Sequence, residues 1–378
     1  MKIAVVGAGA AGTGAAWALA NAGADVVVVH DRAGATALHS GALDFEPWEK
    51  ARAGFQPTAA EQALAHELGW VIAPCRLATN AGVLRPAEGR DRALLDLDSF
   101  AGKRVALPDF VRDDWDAELL CRSFSSSAWA QRTGTRFAPR SLDLGIEIER
   151  SSSSYDFAEE LESEAVRARL VAAVDAARAD VDAWLFGPWL GLTPRAVEAR
   201  LAALSVPIGE VLSAPSGVAG AHFEAARDLL FAAKGIAQVR TRAVALSRGA
   251  SGIELELDGA PAQTVERVVL ATGGVLAGGV VLVNPEPGRV LQSFALSLAC
   301  DATLEQGGQS IDDVSTLYGV DFTRRGAELL EGVGVAVDGA AVRGVPGVFA
   351  AGDVVADRPR TLLSALRAGI RAAAAALG

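Results

Sequence analysis

The sequence predicts an α/β protein: a three-layer, Rossmann-like domain on a parallel sheet with a β-meander, into which a smaller α/β domain is inserted. Three stretches predict it. The chain opens MKIAVVGAGAAGTGAAWALANAGADVVVVHDR, holds VERVVLATGG in its last third, and closes on GVPGVFAAGDVVADRPRTLLSALRAGIRAAAAAL. In each, a short apolar run ends in a glycine turn, as strands do when they are buried on both faces and joined through helices.

The opening stretch is a complete β-α-β unit. Ile3 to Val6 suits a buried strand, and Gly7, Gly9 and Gly12 follow at the G-x-G-x-x-G spacing. Gly7 allows the tight turn, Gly9 lets backbone approach a phosphate, and Gly12 lets the helix pack on the strand, so that the helix N-terminus faces an anion. Ala15, Ala16, Leu19 and Ala20 form a small apolar helix face, Gly23 ends the helix, and Val26 to Val29 form the second strand. That strand ends in His30, where dinucleotide-binding units carry an acid that reads the adenosine ribose. Asp31 is one residue on and would point to the other face of a strand.

The second and third stretches repeat the theme. Val265 to Leu270 reads as a buried strand followed by Ala271, Thr272 and the pair Gly273–Gly274, where backbone passes close to a ligand. Near the end, Pro346 marks a turn, Val348 to Ala350 a strand, Gly352 and Asp353 its end, and Thr361 the start of a last helix. A strand end presents Asp353 to a polyol, and a helix N-terminus faces developing negative charge.

Composition bounds what else the chain can be. Its 378 residues, 51% hydrophobic, suffice for two ordinary domains with real cores, and a net charge of -11 without basic runs argues against nucleic acid. Cys75, Cys121 and Cys300 stand far apart with no zinc or C-x-x-C spacing, which suggests a reducing compartment and no metal. The apolar start has its glycines in the turn motif, which argues against a signal peptide. VVLATGGVLAGGVVLV is too short and glycine-broken to span a bilayer, so a cytoplasmic protein is expected.

Together, the GxGxxG start, the ATGG strand and the AAGD strand before a final helix resemble the two-domain flavoproteins of the glutathione reductase and fumarate reductase type. The resemblance implies that Asp353 bonds the flavin ribityl chain and that backbone at Arg360, Thr361 and Leu362 faces the pyrimidine edge. ALHSGALDF, Ala37 to Phe45, narrows it. This segment, DAWLFGPWLGL, APSGVAGAHFEAARDLL and LATGGVLAGGVVL are similar in order and spacing to the FMN-associated subunit of anaerobic glycerol-3-phosphate dehydrogenase.

That resemblance implies a non-covalent flavin, FMN or FAD, and FMN accords with the missing acid at His30. It further implies oxidation of glycerol 3-phosphate to dihydroxyacetone phosphate with electrons passed to a quinone, alongside catalytic and iron–sulfur partner subunits that hold the chain peripherally on the inner membrane. The shortened loop before ALHSGALDF and the DRPRTLLSALRAG segment depart from that subunit. Two alternatives therefore stand: an independent FAD-dependent oxidoreductase of an alcohol or amine, and a flavin-binding subunit without turnover.

The motifs place a discontinuous flavin domain at residues 1–100 and 214–378, with a substrate or partner domain at 101–213 between its halves. SFSSSA and RSSSSYD read as loops, KRVALPDF and DAWLFGPWL as strands, and Phe157 to Ala179 as one long charged helix. Of the four histidines, His66 falls in a helical pattern and His222 opens a helix as a packing or capping residue. His39 is the candidate catalytic residue, because its segment would run along the flavin, where it orients a substrate hydroxyl or bonds the ring. The cofactor-binding set is Gly7, Gly9, Gly12, Arg32, Ser40, Gly41, Thr272, Gly273, Gly352, Asp353, Thr361 and Leu362. Arg358 and Arg360 join Arg32 as candidate phosphate ligands.

Overall fold

The computed structural model describes residues 1–144, 149–193, 204–215, 217–284, 292–312, 315–316, 326–357 and 361–378. They form two compact units, the first from Met1–Thr36, Phe45–Leu64 and Asp228–Gly378, the second from Ala37–Asp44 and Ala65–Arg227. The second unit thus reaches past the 101–213 insertion, taking in residues 65–100 and 214–227 as well.

The first unit has the expected three layers. Its seven-stranded sheet runs Ala237–Val239, Asp25–Val29, Lys2–Val6, Arg267–Leu270, Val348–Ala350, Ala341–Val342, Val337–Asp338, and the first five strands are parallel. The register puts Ala4 beside both Val27 and Val268, so alternate residues of each strand share a face. Ala4, Val6, Val27 and Leu270 join one apolar cluster with Ile253, Leu255 and Leu257 of the antiparallel meander Ala243–Gly249, Gly252–Leu257, Ala260–Val265.

Helices Ala10–Asn21 and Leu362–Leu377 pack on each other nearly backbone to backbone. A Cβ at Gly369 would collide with the Ala11 carbonyl, and one at Gly14 would reach the Leu366 carbonyl at 2.5 Å. A buried ionic knot holds residues 45–64 to the last helix. Arg367 donates from Nε and Nη2 to the Glu61 carboxylate at 2.7 and 2.8 Å, and Glu49 lies 3.6 Å from its Nη1. The guanidinium stacks 4.5 Å from Phe45 and 4.6 Å from Phe55, while the Ser364 hydroxyl donates to Glu49.

The second unit has its own parallel sheet, in the order Ile208–Glu210, Ala183–Phe186, Arg104–Pro108, Arg136–Arg140. The strands expected in KRVALPDF and DAWLFGPWL are its two central members. Trp184, Phe186, Trp189, Phe124 and Phe157 fill the core around it.

Three local expectations fail here. SFSSSA is no loop: it ends the helix Ala117–Ser126, and Ser127 caps the next one through its hydroxyl. The charged helix breaks in two, Ser154–Glu160 and Glu164–Ala176, because Ser163 takes an extended backbone and starts the second piece. In RSSSSYD, Ser153 and Asp156 form a capping box, so the serines start a helix.

Candidate functional site

The parallel strands of the first unit end together along one edge of the sheet, and backbone bonds carry the ladder one residue past them. Gly7 donates to the Val29 carbonyl at 2.8 Å, Ala271 to Val6 at 2.8 Å, and Ala351 to Leu270 at 2.9 Å. Three loops therefore leave that edge side by side, and they are the glycine turn, Thr272–Gly273 and Gly352–Asp353. Ligands bind outside the carboxyl ends of strands in open α/β sheets.

The glycine turn is as tight as its spacing predicts. Gly7 has φ +109° and a Cβ there would collide with the Ala271 carbonyl, while one at Gly12 would collide with Gly7. Gly9 differs: its hydrogen faces only the Thr36 hydroxyl, 2.9 Å from where a Cβ would stand. That hydroxyl accepts the Ala10 N–H at 2.9 Å, and Gly9 supplies no side-chain cap. Of the three, Gly9 is the one whose Cβ would meet a side chain and not backbone.

Close backbone approach also explains Gly274, whose Cβ would stand 2.7 Å from the Asp353 carbonyl. Asp353 sits in a short 3-10 turn, Gly352–Val354, after the Val348–Ala350 strand. Thr361 is the N-cap of the last helix in extended conformation, but its hydroxyl makes no cap bond, and its Oγ1 is buried without a partner. Leu362 opens that helix. Arg32 Nη2 donates to the Gly278 carbonyl at 3.3 Å, and its side chain is 56% exposed. Arg358 and Arg360 lie outside the described residues.

At the end of the second strand, His30 Nε2 stands 3.2 Å from Gln238 Oε1 of the neighbouring strand. Asp31 is 3.7 Å from Arg32. No carboxylate stands at position 30 itself.

Ser40, Gly41 and His39 belong to the second unit. Gly41, at φ +94°, donates its N–H to His39 Nδ1 at 3.0 Å and accepts from Asp91 N at 2.8 Å, and Ser213 N donates to the Ser40 carbonyl at 3.0 Å. His39 meets Trp70 edge-on at 5.9 Å and Phe223 at 6.4 Å, with Nε2 buried and unpartnered. Burial pushes its pKa down to about 4, against the pull of Asp91 and the Ala219 carbonyl, with His222 adding to the fall.

His222 is the residue that sequence reasoning undervalued. It lies in the second turn of the Val218–Lys234 helix, 2% exposed, with Nδ1 3.3 Å from Asp91 Oδ2 and Nε2 2.6 Å from the Gly191 carbonyl. Burial lowers its pKa, but Asp91, Glu210 and the Gly191 carbonyl more than reverse that and push it up to about 9. Burial likewise works against the Asp91 carboxylate, yet His222 and the Ala93 N–H hold it below its ordinary value. A signal existed: Ala219, His222, Phe223, Ala226 and Leu230 follow helical spacing, so His222 falls on the buried face.

Burial raises all three thiols, Cys75 to about 11 and Cys121 to about 12, so they stay protonated. Among the described residues, no three metal-ligating side chains group together, and no helix is long and apolar enough to cross a membrane.

No protein-family model and no curated protein matches the sequence. Among solved structures, the chain is similar to the GidA-related protein from Thermus thermophilus, at 14% identity over 99% of this chain and 97% of that one, with a TM-score of 0.34. It is similar to iminodiacetate oxidase from Chelativorans sp. BNC1 at 13% identity, over 100% and 94%, with a TM-score of 0.33. A putrescine oxidase gives 14% identity, 100% and 99% coverage, and a TM-score of 0.34. Scores this low lend no weight to a reading of function, and the fold rests on strand order and register.

Proposed function

We propose that this chain is a flavin-dependent oxidoreductase that holds FMN or FAD without a covalent bond along the carboxyl edge of its parallel sheet. The observation that carries this reading is the meeting on one edge of a glycine turn, Thr272–Gly273 and Gly352–Asp353. The residues present fit the group. Any side chain at Gly9 would crowd the Thr36 hydroxyl that accepts the first helical N–H, and the buried Thr361 hydroxyl at the start of the last helix lacks the partner that a polar ring edge provides.

In this reading Gly7, Gly9, Gly12 and Arg32 hold the phosphate, since first-turn N–H groups and a guanidinium both favour an anion. Gly352 and Asp353 take the ribityl chain, and Thr361 and Leu362 donate to the pyrimidine edge, where the positive end of the helix stabilises negative charge. When bound, the flavin supplies the two-electron chemistry, and the chain's role is to position and polarise it. The roles of His39, Ser40 and Gly41 beside the ring rest on the sequence resemblance.

The resemblance to the FMN-associated subunit of anaerobic glycerol-3-phosphate dehydrogenase supplies the finer proposal. The chain relays electrons from glycerol 3-phosphate oxidation towards a quinone, with catalytic and iron–sulfur partner chains that set its peripheral place on a membrane. His30 in place of the acid supports FMN, because the position carries no carboxylate to accept from both hydroxyls of an adenosine ribose. Asp353 favours the second reading, an independent FAD enzyme, because it fits the general flavoprotein pattern better than that subunit's own.

Acid extraction and chromatography of flavin from protein loaded with FMN and FAD decides between them. FMN alone is the expected result; FAD alone supports the independent enzyme, and no flavin at all overturns the reading.

A further inference from the structure

We propose that Glu49 sets the redox poise of the bound flavin: its buried carboxylate sits against the first turn of the last helix and draws on the same positive helix end that the reduced ring needs. The proposal rests on the flavin reading and concerns only the balance between the oxidised and the reduced ring.

The last helix brings no acid of its own to its start. Its charged residues are Arg367 and Arg371, its first turn holds no Asp or Glu, and the Thr361 hydroxyl makes no cap bond. Glu49 supplies the missing carboxylate from the 45–64 segment of the same unit. Ser364, three residues past the N-cap and so about 4.5 Å along the axis, donates its hydroxyl to Glu49. The same hydroxyl accepts the Glu46 N–H at 3.1 Å, which fixes its direction. A helix end favours negative charge within its first turn and little beyond it, so Glu49 lies where that influence is felt.

The charge count makes Glu49 the surplus member of the knot. Glu49, Glu61 and Arg367 are each 3–4% exposed, and two carboxylates against one guanidinium leave one negative charge. Arg367 gives Glu61 two hydrogen bonds, whereas Glu49 stands 3.6 Å from Nη1 and leans on Ser364. Phe45 and Phe55 flank the guanidinium at 4.5 and 4.6 Å, so the surplus charge is poorly screened by water or salt.

That surplus acts on one oxidation state alone. The oxidised ring is neutral, and uptake of two electrons and one proton from the substrate leaves it an anion. A buried carboxylate at the same helix end opposes the anion and is indifferent to the neutral ring. Glu49 therefore lowers the poise without loosening the hold on oxidised flavin.

Glu49→Gln keeps the shape and the Ser364 contact, and it leaves Arg367 paired with Glu61. The full-length protein, loaded with FMN or, if it takes only that, FAD, is brought to equilibrium with a two-electron reference dye. At a fixed dye ratio the reduced-to-oxidised ratio of the flavin should rise at least about tenfold in Glu49→Gln, an upward shift of about 30 mV, with flavin content unchanged. Glu61→Gln removes the same charge and should shift the ratio in the same direction, which decides the matter if Glu49→Gln does not fold. Phe55→Leu loosens the packing on Arg367 without a change of charge and should leave the ratio unchanged. An unaltered ratio in Glu49→Gln, or an equal rise in Phe55→Leu, overturns the proposal and leaves the flavin reading standing. Wild-type protein that takes up no flavin overturns both.

Discussion

The carboxyl edge of the first unit and the histidine cluster of the second are built by opposite means. The edge is backbone: glycines, amides and the ends of strands, with Asp353 as the acid beside them. The cluster is side chain: Asp91, His222 and Glu210 are all buried, and they meet through charge. A site made of backbone is sensitive to added volume and indifferent to charge. A site made of buried ions is sensitive to charge and tolerant of shape. The two regions should therefore fail under different insults.

The largest effect is expected where charge is removed from the cluster. Asp91→Asn strands the buried His222 cation and should destabilise the protein by about 3–5 kcal/mol, read by denaturant unfolding. Asp353→Asn in the first unit, where Asp353 is only partly buried, should cost less than about 1 kcal/mol. Equal losses would erase the contrast.

Next comes volume. Gly12→Val drives side-chain atoms into the Gly7 carbonyl and should cost about 3 kcal/mol, with the flavin lost as well. Gly9→Val meets only a side-chain hydroxyl, so about 1 kcal/mol or less is expected, yet flavin content should fall equally. Flavin absorbance per folded protein checks both, and flavin retained in Gly9→Val would show that the turn serves packing alone.

The last test sharpens the comparison through pH. His222, raised to about 9, contributes stability that is fully present below its unfolded value near 6.5 and is lost as pH rises through 9. His39, lowered to about 4, acts in the other direction: the unfolded state gains a proton first, so stability falls as pH drops from 6.5 towards 4. Together they put a maximum near pH 6.5, with losses on the order of 2 kcal/mol two units to either side. Thermal unfolding from about pH 5 to 9 measures it. In His222→Gln the alkaline limb should flatten.

Much of the first unit was legible because its signals are local. Gly7, Gly9 and Gly12 stand within six residues, and each strand that feeds the edge is an unbroken apolar run. The cluster was hidden because its members are residues 39, 91, 191 and 222, each unremarkable among its chain neighbours and joined only by folding. Asp91 in particular lies among GRDRALLDLD, where nothing separates it from surface acids. The broken helix at Ser163 and the helical serines at 123–126 were misread because serine caps and serine loops look alike until backbone angles are known.

The order of the strands also has a meaning in time. Lys2–Val6 and its helix are made long before their partners Arg267–Leu270 and Leu362–Leu377. At ordinary rates of translation, on the order of 5–20 residues per second, the opening β-α-β unit waits roughly 20–70 s for the segments that cover it. The second unit is complete by Arg227 and can close during that interval. A nascent chain halted after residue 260 should therefore show a protease-resistant second unit and a cleavable start. Resistance of residues 2–29 at that length would mean that the opening motif finds temporary cover, either within the chain or from a chaperone at the ribosome.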